Sequence, residues 1–278
     1  MFRRRARLGL LTVLGMARRG FFIPYRFADS LPLPGDVPGY PAVEALFAAA
    51  EPAFATTLAE IEALADDLEA LDGGPAPAPR WTQDWFPTLD AAAAYALVRS
   101  RRPAHIVEVG SGHSTRFLKR AVDDAGLSTT LVAIDPAPRR GVDRLDIELI
   151  QATLHDAGTA PFAPLAAGDM LVIDSSHILM PGSDVDDLLN RILPSLPSGV
   201  LVHIHDIFLP DDYPSSWAWR GYNEQQGVAA LLTTGAYAPL FASHYVASRM
   251  SDRLAQGVLA RLPQVDGAHP ASLWLRKA

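Results

Sequence analysis

Two segments of this chain end in side chains that could carry out chemistry. The first, Asp169–His177, closes an apolar run with Asp174, two serines and His177, and the next apolar run closes with His205 and Asp206. Carboxylates and imidazoles bind divalent metal ions, so Asp174, His205 and Asp206 predict a metal site that could draw the proton from a substrate hydroxyl. Alternatively, His177 or His205 acts as a general base, because an imidazole titrates near neutral pH. We predict a catalytic site formed by Asp174, His177, His205 and Asp206.

A structural role is the alternative for the same residues. Polar side chains often terminate strands and cap the following turns, which requires no ligand. His203 lies on the same strand face as His205 but deeper in the run, because side chains alternate with a period of two. We expect His203 to be a core histidine with a hydrogen-bond partner.

A glycine-rich turn precedes both segments. The β-branched run that ends at Val109 predicts a buried strand, Gly110-Ser111-Gly112 a tight turn, and the residues from His113 a helix. Two glycines allow positive φ angles and the close approach of a ligand. Asp135 ends the next apolar run, about 20 residues further on, where an acid accepts hydrogen bonds from ribose hydroxyls. We predict a nucleoside cofactor bound by Glu108, Gly110, Ser111, Gly112, Ser114, Asp135 and Asp174.

The residues around this turn also indicate the charge of the cofactor. A dinucleotide site commonly reads G-x-G-x-x-G, but Thr115 holds the third glycine position. Glu108 would place a negative charge near a pyrophosphate, whereas a cationic cofactor tolerates it. An NAD(P)-dependent oxidoreductase is therefore the less favoured alternative on the same fold.

An acid, a glycine-x-glycine turn and a ribose acid together resemble the class I S-adenosylmethionine-dependent methyltransferases, over roughly residues 80 to 278. The strand ends, and the segment from His205 to Pro214, resemble a bacterial group close to the sugar and macrolide O-methyltransferases and the cephalosporin hydroxylase-like proteins. The resemblance implies methylation of a hydroxyl on a small metabolite or sugar, assisted by a divalent metal. The chain departs from that group at Ser175-Ser176, where a glycine-containing turn is usual, and at His205-Asp206, where paired acids are usual.

A different class of function also fits these residues. His177, His205 and an aspartate offer two imidazoles and one carboxylate, which is the ligand set of non-haem iron oxygenases. A metal-dependent hydroxylase-like protein, or a non-catalytic cofactor-binding protein, is therefore the alternative on the same scaffold.

Aromatic residues are concentrated in two segments, Trp81–Phe86 and Ile207–Gln225. Prolines keep the first part of the second segment from being helical, which is typical of a lid or a substrate wall. Aromatic faces bind sugars and flat acceptors, although the same rings could simply close the core. We expect substrate contacts from Trp85, Tyr213, Trp217, Tyr222 and Asn223.

Strand-like and helix-like segments alternate beyond residue 80. Strands are predicted near 104–109, 129–134, 146–151, 169–174, 199–205, 238–246 and 271–276, and helices near 88–101, 113–126, 184–193, 222–233 and 249–260. The alternation predicts a Rossmann-like α/β fold, with a doubly wound, mostly parallel seven-stranded sheet and ligands at the carboxyl ends of its strands. Residues 42–72 predict a long helix or a helical pair. A proline-rich spacer divides an N-terminal extension, residues 1–79, from the methyltransferase domain, residues 80–278.

Charge is distributed unevenly along the chain. The first 26 residues contain seven arginines and no acid, and the remainder contains 17 basic and 31 acidic residues. The acidic body argues against nucleic acid as a partner, because binding phosphate requires a basic surface. We expect the basic N-terminus to pack on a partner subunit of a homo-oligomer, on the chain's own body, or on an anionic membrane surface.

The N-terminal apolar run and the cysteine content suggest the compartment. Residues 8–17 are too short to span a bilayer, which takes ~20 residues, and Arg18-Arg19 follows where a signal peptide has small residues. The chain has no cysteine, which excludes disulfides and a thiol nucleophile. We therefore expect a cytoplasmic enzyme.

Overall fold

The computed structural model describes residues 2–71, 73–139 and 141–278. The chain forms two compact units, Met1–Val37 and Pro38–Ala278. The first unit contains helix α1, Phe2–Val13, and a single 3-10 turn at Ala28–Ser30. None of the side chains described between residues 6 and 37 is buried.

The second unit is built on a seven-stranded sheet, as predicted. Its strands are β1 His105–Val109, β2 Thr130–Ile134, β3 Glu148–Ile150, β4 Met170–Ile173, β5 Leu201–Ile204, β6 Tyr237–Ala242 and β7 Leu273–Lys277. The strand order is β3-β2-β1-β4-β5-β7-β6, and only β7 runs antiparallel to its neighbours. The chain leaves β1 toward β2 on one side and returns to β4 on the other, so a crevice opens at the carboxyl end of β1.

Helices cover both faces of the sheet. The first four are α2 Pro41–Glu62, α3 Ala65–Glu69, α4 Thr88–Arg101 and α5 His113–Asp124. A short α6, Leu154–Ala157, is followed by α7, Asp184–Asp187, which continues through a π-helical turn into α8, Leu193–Ser195. The last three are α9 Glu224–Leu232, α10 Ser243–Arg249 and α11 Gly257–Arg261.

The C-terminal region differs from its prediction. The strand predicted near 238–246 ends at Ala242, because the Ser243 side chain turns inward to Asp90 and the chain continues as α10. The helix predicted near 249–260 is replaced by a 3-10 turn and the short α11. Gly257 has a φ of +69°, a left-handed conformation that a continuous helix cannot contain.

Helix α2 belongs to the second unit. Among the described residues, it is the one helix long and apolar enough to cross a membrane by length and composition. Its Phe47, Phe54 and Ile61 are fully buried, and the Phe54 ring packs edge-on against Phe241 of β6, with centroids 6.2 Å apart. This face makes α2 a core helix, and the second unit begins ahead of the proline-rich spacer.

Candidate functional site

A cavity of about 710 Å³ opens at the carboxyl ends of β1, β2, β4 and β5. This lies within the usual range for ligand sites, ~300–1,000 Å³. It brings together most of the side chains singled out in the sequence, namely Gly110, Ser111, Asp135, Asp174, His177, His205, Asp206, Trp85, Trp217 and Tyr222. The two predicted groups of residues, around the glycine-rich turn and at the next two strand ends, therefore share one cavity.

The glycine-rich turn packs directly against the end of β4. Gly110 has a φ of +87° and its amide donates a hydrogen bond to the carbonyl of Ile134 at 2.9 Å. A Cβ at this position would lie 2.0 Å from the carbonyl oxygen of Asp174. Only glycine fits here, because both the conformation and the neighbouring backbone exclude a side chain.

Asp135 lies at the end of β2 and remains partly exposed. Its Oδ2 accepts a hydrogen bond from the Ser111 hydroxyl at 2.7 Å, and its Oδ1 accepts one from the Ala137 amide at 2.7 Å. Each carboxylate oxygen has a further lone pair. The carboxylate is thus held beside the turn and can still accept hydrogen bonds from a ribose.

Glu108 and Ser114 lie behind the turn and do not line the cavity. The Glu108 carboxylate is fully buried and accepts hydrogen bonds from Ser114 at 2.5 Å and Thr115 at 2.6 Å. Burial raises the pKa of Glu108 to about 8, although these two hydroxyls lower it. Thr115 also accepts the Gly112 amide at 2.9 Å, so Glu108 fastens the start of α5 to β1. Direct cofactor contacts predicted for Glu108 and Ser114 do not fit this placement.

The two histidines at the strand ends lie in an acidic cluster. His177 Nε2 is 3.3 Å from Asp174 Oδ1 and 3.4 Å from Asp206 Oδ2. His205 Nδ1 is 3.6 Å from Asp174 Oδ1 and 3.5 Å from Asp206 Oδ1. The four side chains predicted to be catalytic are therefore in mutual contact.

Two further acids, Glu224 and Asp90, complete this cluster. His177 Nδ1 lies 2.9 Å from Glu224 Oε2, at the start of α9. His205 Nε2 lies 3.4 Å from Asp90 Oδ2, on α4, and makes no hydrogen bond within the described part of the chain. Asp90 was not predicted as a site residue, because nothing in its local pattern distinguishes it from other acids of a helix.

Electrostatics set the charge state of the cluster. Burial by itself lowers the pKa of His177, but its hydrogen bonds to Asp174 and Glu224 outweigh this and raise the pKa well above its usual value. For His205, burial likewise lowers the pKa, and the negative charge of Asp206, together with the nearby carboxylates of Asp174 and Asp90, raises it well above the usual value. Burial raises the pKa of Asp174, while bonds from both histidines bring it well below the ordinary range. The surrounding carboxylates therefore favour the protonated form of both imidazoles.

Backbone strain is concentrated at the same site. His177 has a φ of +59° and Asp206 a φ of +57°, and three non-glycine residues of the described chain have positive φ angles in all. Such conformations cost energy and persist where the surrounding structure holds them. Both strand ends are thereby bent so that their side chains face one another.

The predicted metal site is not supported by the geometry. No group of three or more His, Asp or Glu residues in the described ranges could hold a metal ion. The imidazole nitrogens of His177 and His205 lie 3.3–3.6 Å from carboxylate oxygens of Asp174 and Asp206. The protons and lone pairs of these groups are therefore directed at one another. The same observation applies to the two-histidine, one-carboxylate set predicted for an iron site.

Two tryptophan–arginine pairs form walls of the cavity. The guanidinium of Arg139 lies 3.8 Å from the ring centroid of Trp85, and that of Arg220 lies 3.8 Å from the centroid of Trp217. Arg220 Nη1 also donates to the Tyr222 hydroxyl at 3.1 Å. The three aromatic residues were predicted as substrate contacts, but neither arginine was.

Tyr213 and Asn223 are placed elsewhere, and their prediction as substrate contacts is not supported. Tyr213 is buried against Phe208, with ring centroids 5.7 Å apart, and its hydroxyl accepts the Gln225 amide at 3.3 Å. Asn223 Oδ1 accepts the Leu179 amide at 2.7 Å, and its Nδ2 donates to the Leu179 carbonyl at 3.1 Å. Both residues hold loops around the cavity.

His203 is a core residue, as expected. It is fully buried, and its Nε2 lies 2.8 Å from the Ser272 hydroxyl. Burial, together with the nearby charge of His205, lowers the pKa of His203 to about 3. His203 is therefore neutral at physiological pH and separate from the acidic cluster.

Known proteins provide a comparison for this geometry. Residues 107–207 match a family model described as a methyltransferase domain. The chain is similar to the S-adenosylhomocysteine-bound methyltransferase PaMTH1 of Podospora anserina, with 13% identity, coverage of 93% of this chain and 99% of that chain, and a TM-score of 0.44. It is also similar to the O-methyltransferase TomG of Streptomyces achromogenes, involved in tomaymycin synthesis, with 17% identity, coverage of 80% and 89%, and a TM-score of 0.42. No curated protein sequence matches this chain.

Proposed function

We propose that the chain, whose residues 107–207 match a methyltransferase domain, is a class I S-adenosylmethionine-dependent methyltransferase that methylates a hydroxyl oxygen of a small metabolite or sugar in the cytoplasm. One observation carries the proposal. The glycine-rich turn, Asp135 and the acidic histidine cluster line a single cavity. A cofactor site and a group able to accept a proton are thus adjacent.

The residues at the turn fit the cofactor. Gly110 and Ser111 present backbone without a large side chain, and Asp135 offers its carboxylate to the ribose hydroxyls. Asp84 and Asp174 line the same cavity, and negative charge stabilises a cation in a partly enclosed site. S-adenosylmethionine, when bound, supplies an electrophilic methyl group on a positively charged sulfur.

His177 is the group we assign as the base. Glu224 accepts the Nδ1 proton at 2.9 Å, which leaves Nε2 directed at the cavity side of the cluster, beside Asp174 and Asp206. A base oriented by a second acidic group is a common arrangement for proton abstraction. The neutral imidazole takes the proton from the acceptor hydroxyl, and the two aspartates stabilise the imidazolium that forms.

The acceptor lies between the aromatic walls in this proposal. Trp85 and Trp217 present ring faces to the cavity with an arginine on each, and Tyr222 packs on the His177 ring with centroids 4.5 Å apart. Aromatic faces stack on sugar rings and on flat acceptors. Holding the hydroxyl oxygen in line with the methyl group itself supplies much of the rate acceleration.

Calorimetric titration tests the cofactor part of the proposal. S-adenosylmethionine and S-adenosylhomocysteine should both release binding heat, and Asp135→Asn should weaken both by about ten-fold, since it removes charged hydrogen bonds to the ribose. Asp146→Asn is the matched control, because the Asp146 side chain is fully exposed and does not line the cavity. Absence of heat with the unmodified protein would overturn the proposal.

Methyl transfer tests the chemical part. With methyl-labelled S-adenosylmethionine and a panel of hydroxylated metabolites and sugars, at least one acceptor should become labelled on oxygen. His177→Ala should lower kcat by about 10²–10⁴-fold, which is typical of a lost general base. Treatment with a chelator should leave the rate unchanged, because the described acids and histidines pair with one another. A rate that is abolished by chelation and restored by Mg²⁺ would instead support a metal-assisted mechanism.

A further inference from the structure

The N-terminal unit exposes an unusual amount of apolar surface. Eleven of the thirteen large hydrophobic residues that are exposed in the described chain lie between residues 10 and 33. Each of them is at least half exposed, and they are Leu10, Val13, Leu14, Met16, Phe21, Phe22, Ile23, Tyr25, Phe27, Leu31 and Leu33. So many exposed large apolar side chains in one segment mark an interaction site, because folded proteins rarely leave extensive apolar surface in water.

Positive charge accompanies this apolar surface. Seven arginines and no acid occupy the first 26 residues, and the first acid is Asp29. Arg18 and Arg19 are exposed and directly precede the aromatic stretch 21–27, and the Arg26 guanidinium lies 5.6 Å from the Phe27 ring centroid. The occupant of this surface must therefore combine negative charge with an apolar interior.

The length of α1 limits how the N-terminal segment can bind a partner that combines negative charge with an apolar interior. Its 12 residues make a helix about 18 Å long, shorter than the ~30 Å hydrocarbon core of a bilayer. A helix of this length, followed by exposed aromatic residues and arginines, suits the interface between lipid headgroups and acyl chains. Arginines at this depth reach the phosphates while their stems remain in apolar surroundings.

The second unit of another copy offers no matching surface, and the N-terminal segment of that copy carries the same positive charge. In the described part of residues 38–278, the exposed large hydrophobic residues are Trp85 and Trp219, and each lies beside an arginine. An acidic body could attract the arginines of another copy, but it would leave the apolar side chains of residues 10–33 uncovered. A lipid surface satisfies both the charge and the apolar area.

We propose that residues 2–33 form an anchor for anionic phospholipid membranes, which holds the methyltransferase at the membrane surface. In the bound state Phe21, Phe22 and Ile23 enter the acyl boundary, and Arg18 and Arg19 contact the phosphates. This proposal does not depend on the acceptor or on the base assigned above.

Vesicle sedimentation of the full-length protein tests the anchor. Phosphatidylcholine vesicles containing phosphatidylglycerol should bind the protein, pure phosphatidylcholine vesicles should bind it at least about ten-fold less, and binding should fall between 0.1 M and 0.5 M salt, because screening weakens the arginine contacts. Equal binding to both vesicles, or to neither, would overturn the proposal.

Two variants separate the contributions of charge and apolar area. Arg18→Glu with Arg19→Glu, and Phe21→Ser with Phe22→Ser and Ile23→Ser, should each lower vesicle binding by at least about ten-fold. Arg253→Glu with Arg276→Glu, at exposed positions of the second unit, is the matched charge control and should leave binding unchanged.

All of these variants should retain the thermal stability of the unmodified protein, because the changed side chains are exposed. If the anchor variants bind vesicles normally but lose a dimer in light scattering, or lose binding to duplex DNA, the occupant is a second copy or a nucleic acid and the membrane proposal is wrong.

Discussion

In the proposed reaction, carboxylates control the proton affinity of two buried imidazoles. His177 and His205 share Asp174 and Asp206, and each also faces an acid of its own, Glu224 or Asp90. This environment favours the imidazolium form, so either histidine can act as a base only after its imidazolium has lost a proton. A cationic cofactor beside Asp174 would favour that loss, because it competes with the imidazolium for the same negative charge.

Glu224 should control the pH at which the enzyme becomes active. Its hydrogen bond and charge help to raise the pKa of His177, so a neutral base forms only at a pH above the ordinary range of histidine. Activity should therefore rise with pH through that raised value. Glu224→Gln keeps a side chain of the same shape but removes the charge, and the acid limb of log kcat/KM should move to lower pH. An unchanged limb would exclude His177 as the titrating base.

Glu51→Gln is the matched control for that measurement. Glu51 accepts a hydrogen bond from the Tyr245 hydroxyl at 2.9 Å, away from the cavity residues. This substitution should leave the pH profile where it is. A shift of similar size in both variants would mean that general charge, and not the contact with His177, sets the limb.

Glu108 should make the protein less stable as the pH rises. Burial raises its pKa to about 8 from 4.5, so the folded protein holds a proton between these values that the unfolded chain has released. Stability linked to this group is complete below pH 4.5, falls as the pH rises toward 8 and is then constant. Glu108→Gln imitates the protonated acid, and it should raise the free energy of unfolding at pH 8, by about 5 kcal/mol at most, with little change at pH 5. Urea unfolding at the two pH values measures this, and an equal effect at both would contradict it.

At the scale of elements, the turn after β1 and the end of β4 form one packed unit. Gly110 lets the turn cross the backbone of Asp174, and Asp174 in turn holds both histidines. The proposed cofactor site and the proposed base are thereby joined through a single strand end. A substitution in the turn should therefore disturb both cofactor binding and the position of the histidines.

Gly110→Ala tests this junction. Its Cβ would meet the Asp174 carbonyl oxygen at 2.0 Å, so the variant should lose measurable cofactor binding and roughly 2–4 kcal/mol of stability. Gly126→Ala is the control, because Gly126 also has a positive φ but no heavy atom lies within 4 Å of the position that its Cβ would take. It should cost about 1 kcal/mol and bind cofactor normally. Equal behaviour of the two variants in calorimetry and urea unfolding would show that backbone strain at the glycine, and not the contact with the end of β4, causes the loss of cofactor binding and stability.

Helix α4 is tied to the C-terminal strand through a buried acid. Asp90 accepts backbone amides from Ala271 at 3.0 Å and Ser272 at 3.2 Å, and it also faces His205. Asp90→Ala should lower the free energy of unfolding by about 2–5 kcal/mol, because buried donors and an imidazole lose their partner. Asp146→Ala, at a fully exposed side chain, should change stability by less than about 0.5 kcal/mol. Urea unfolding of both variants measures these changes in the free energy of unfolding.

At the scale of the whole molecule, cofactor binding should stabilise the sheet unit. The turn, β2, β4 and β5 all contribute to one cavity, so a ligand there links four strands of the folded state. At 100 times its Kd, S-adenosylmethionine should add about 2.7 kcal/mol and raise Tm by roughly 5–10 °C. NADH and NADPH should leave Tm unchanged in differential scanning fluorimetry. A rise with the nicotinamides alone would restore the oxidoreductase alternative.

Much of this architecture follows from local patterns. The buried strands β1 and β4 were predictable from short apolar runs, and the carboxyl ends of neighbouring parallel strands must share one edge of a sheet. Residues at those ends, such as Gly110 and Asp174, were therefore identified correctly as neighbours in a cavity. The basic, apolar N-terminus and the absence of cysteine were likewise evident directly, because charge and composition need no fold.

Tertiary structure alone decided which side chains face the cavity. Asp90 and Glu224 come to the histidines from distant helices, while Glu108 turns inward to the hydroxyls of α5. Tyr213 and Asn223 belong to the aromatic segment, but their side chains form hydrogen bonds with backbone amides. Local periodicity determines strands and helices, because it depends on residues within a few positions. The partner of a buried polar group depends on which elements meet, and that is set only when the whole core packs.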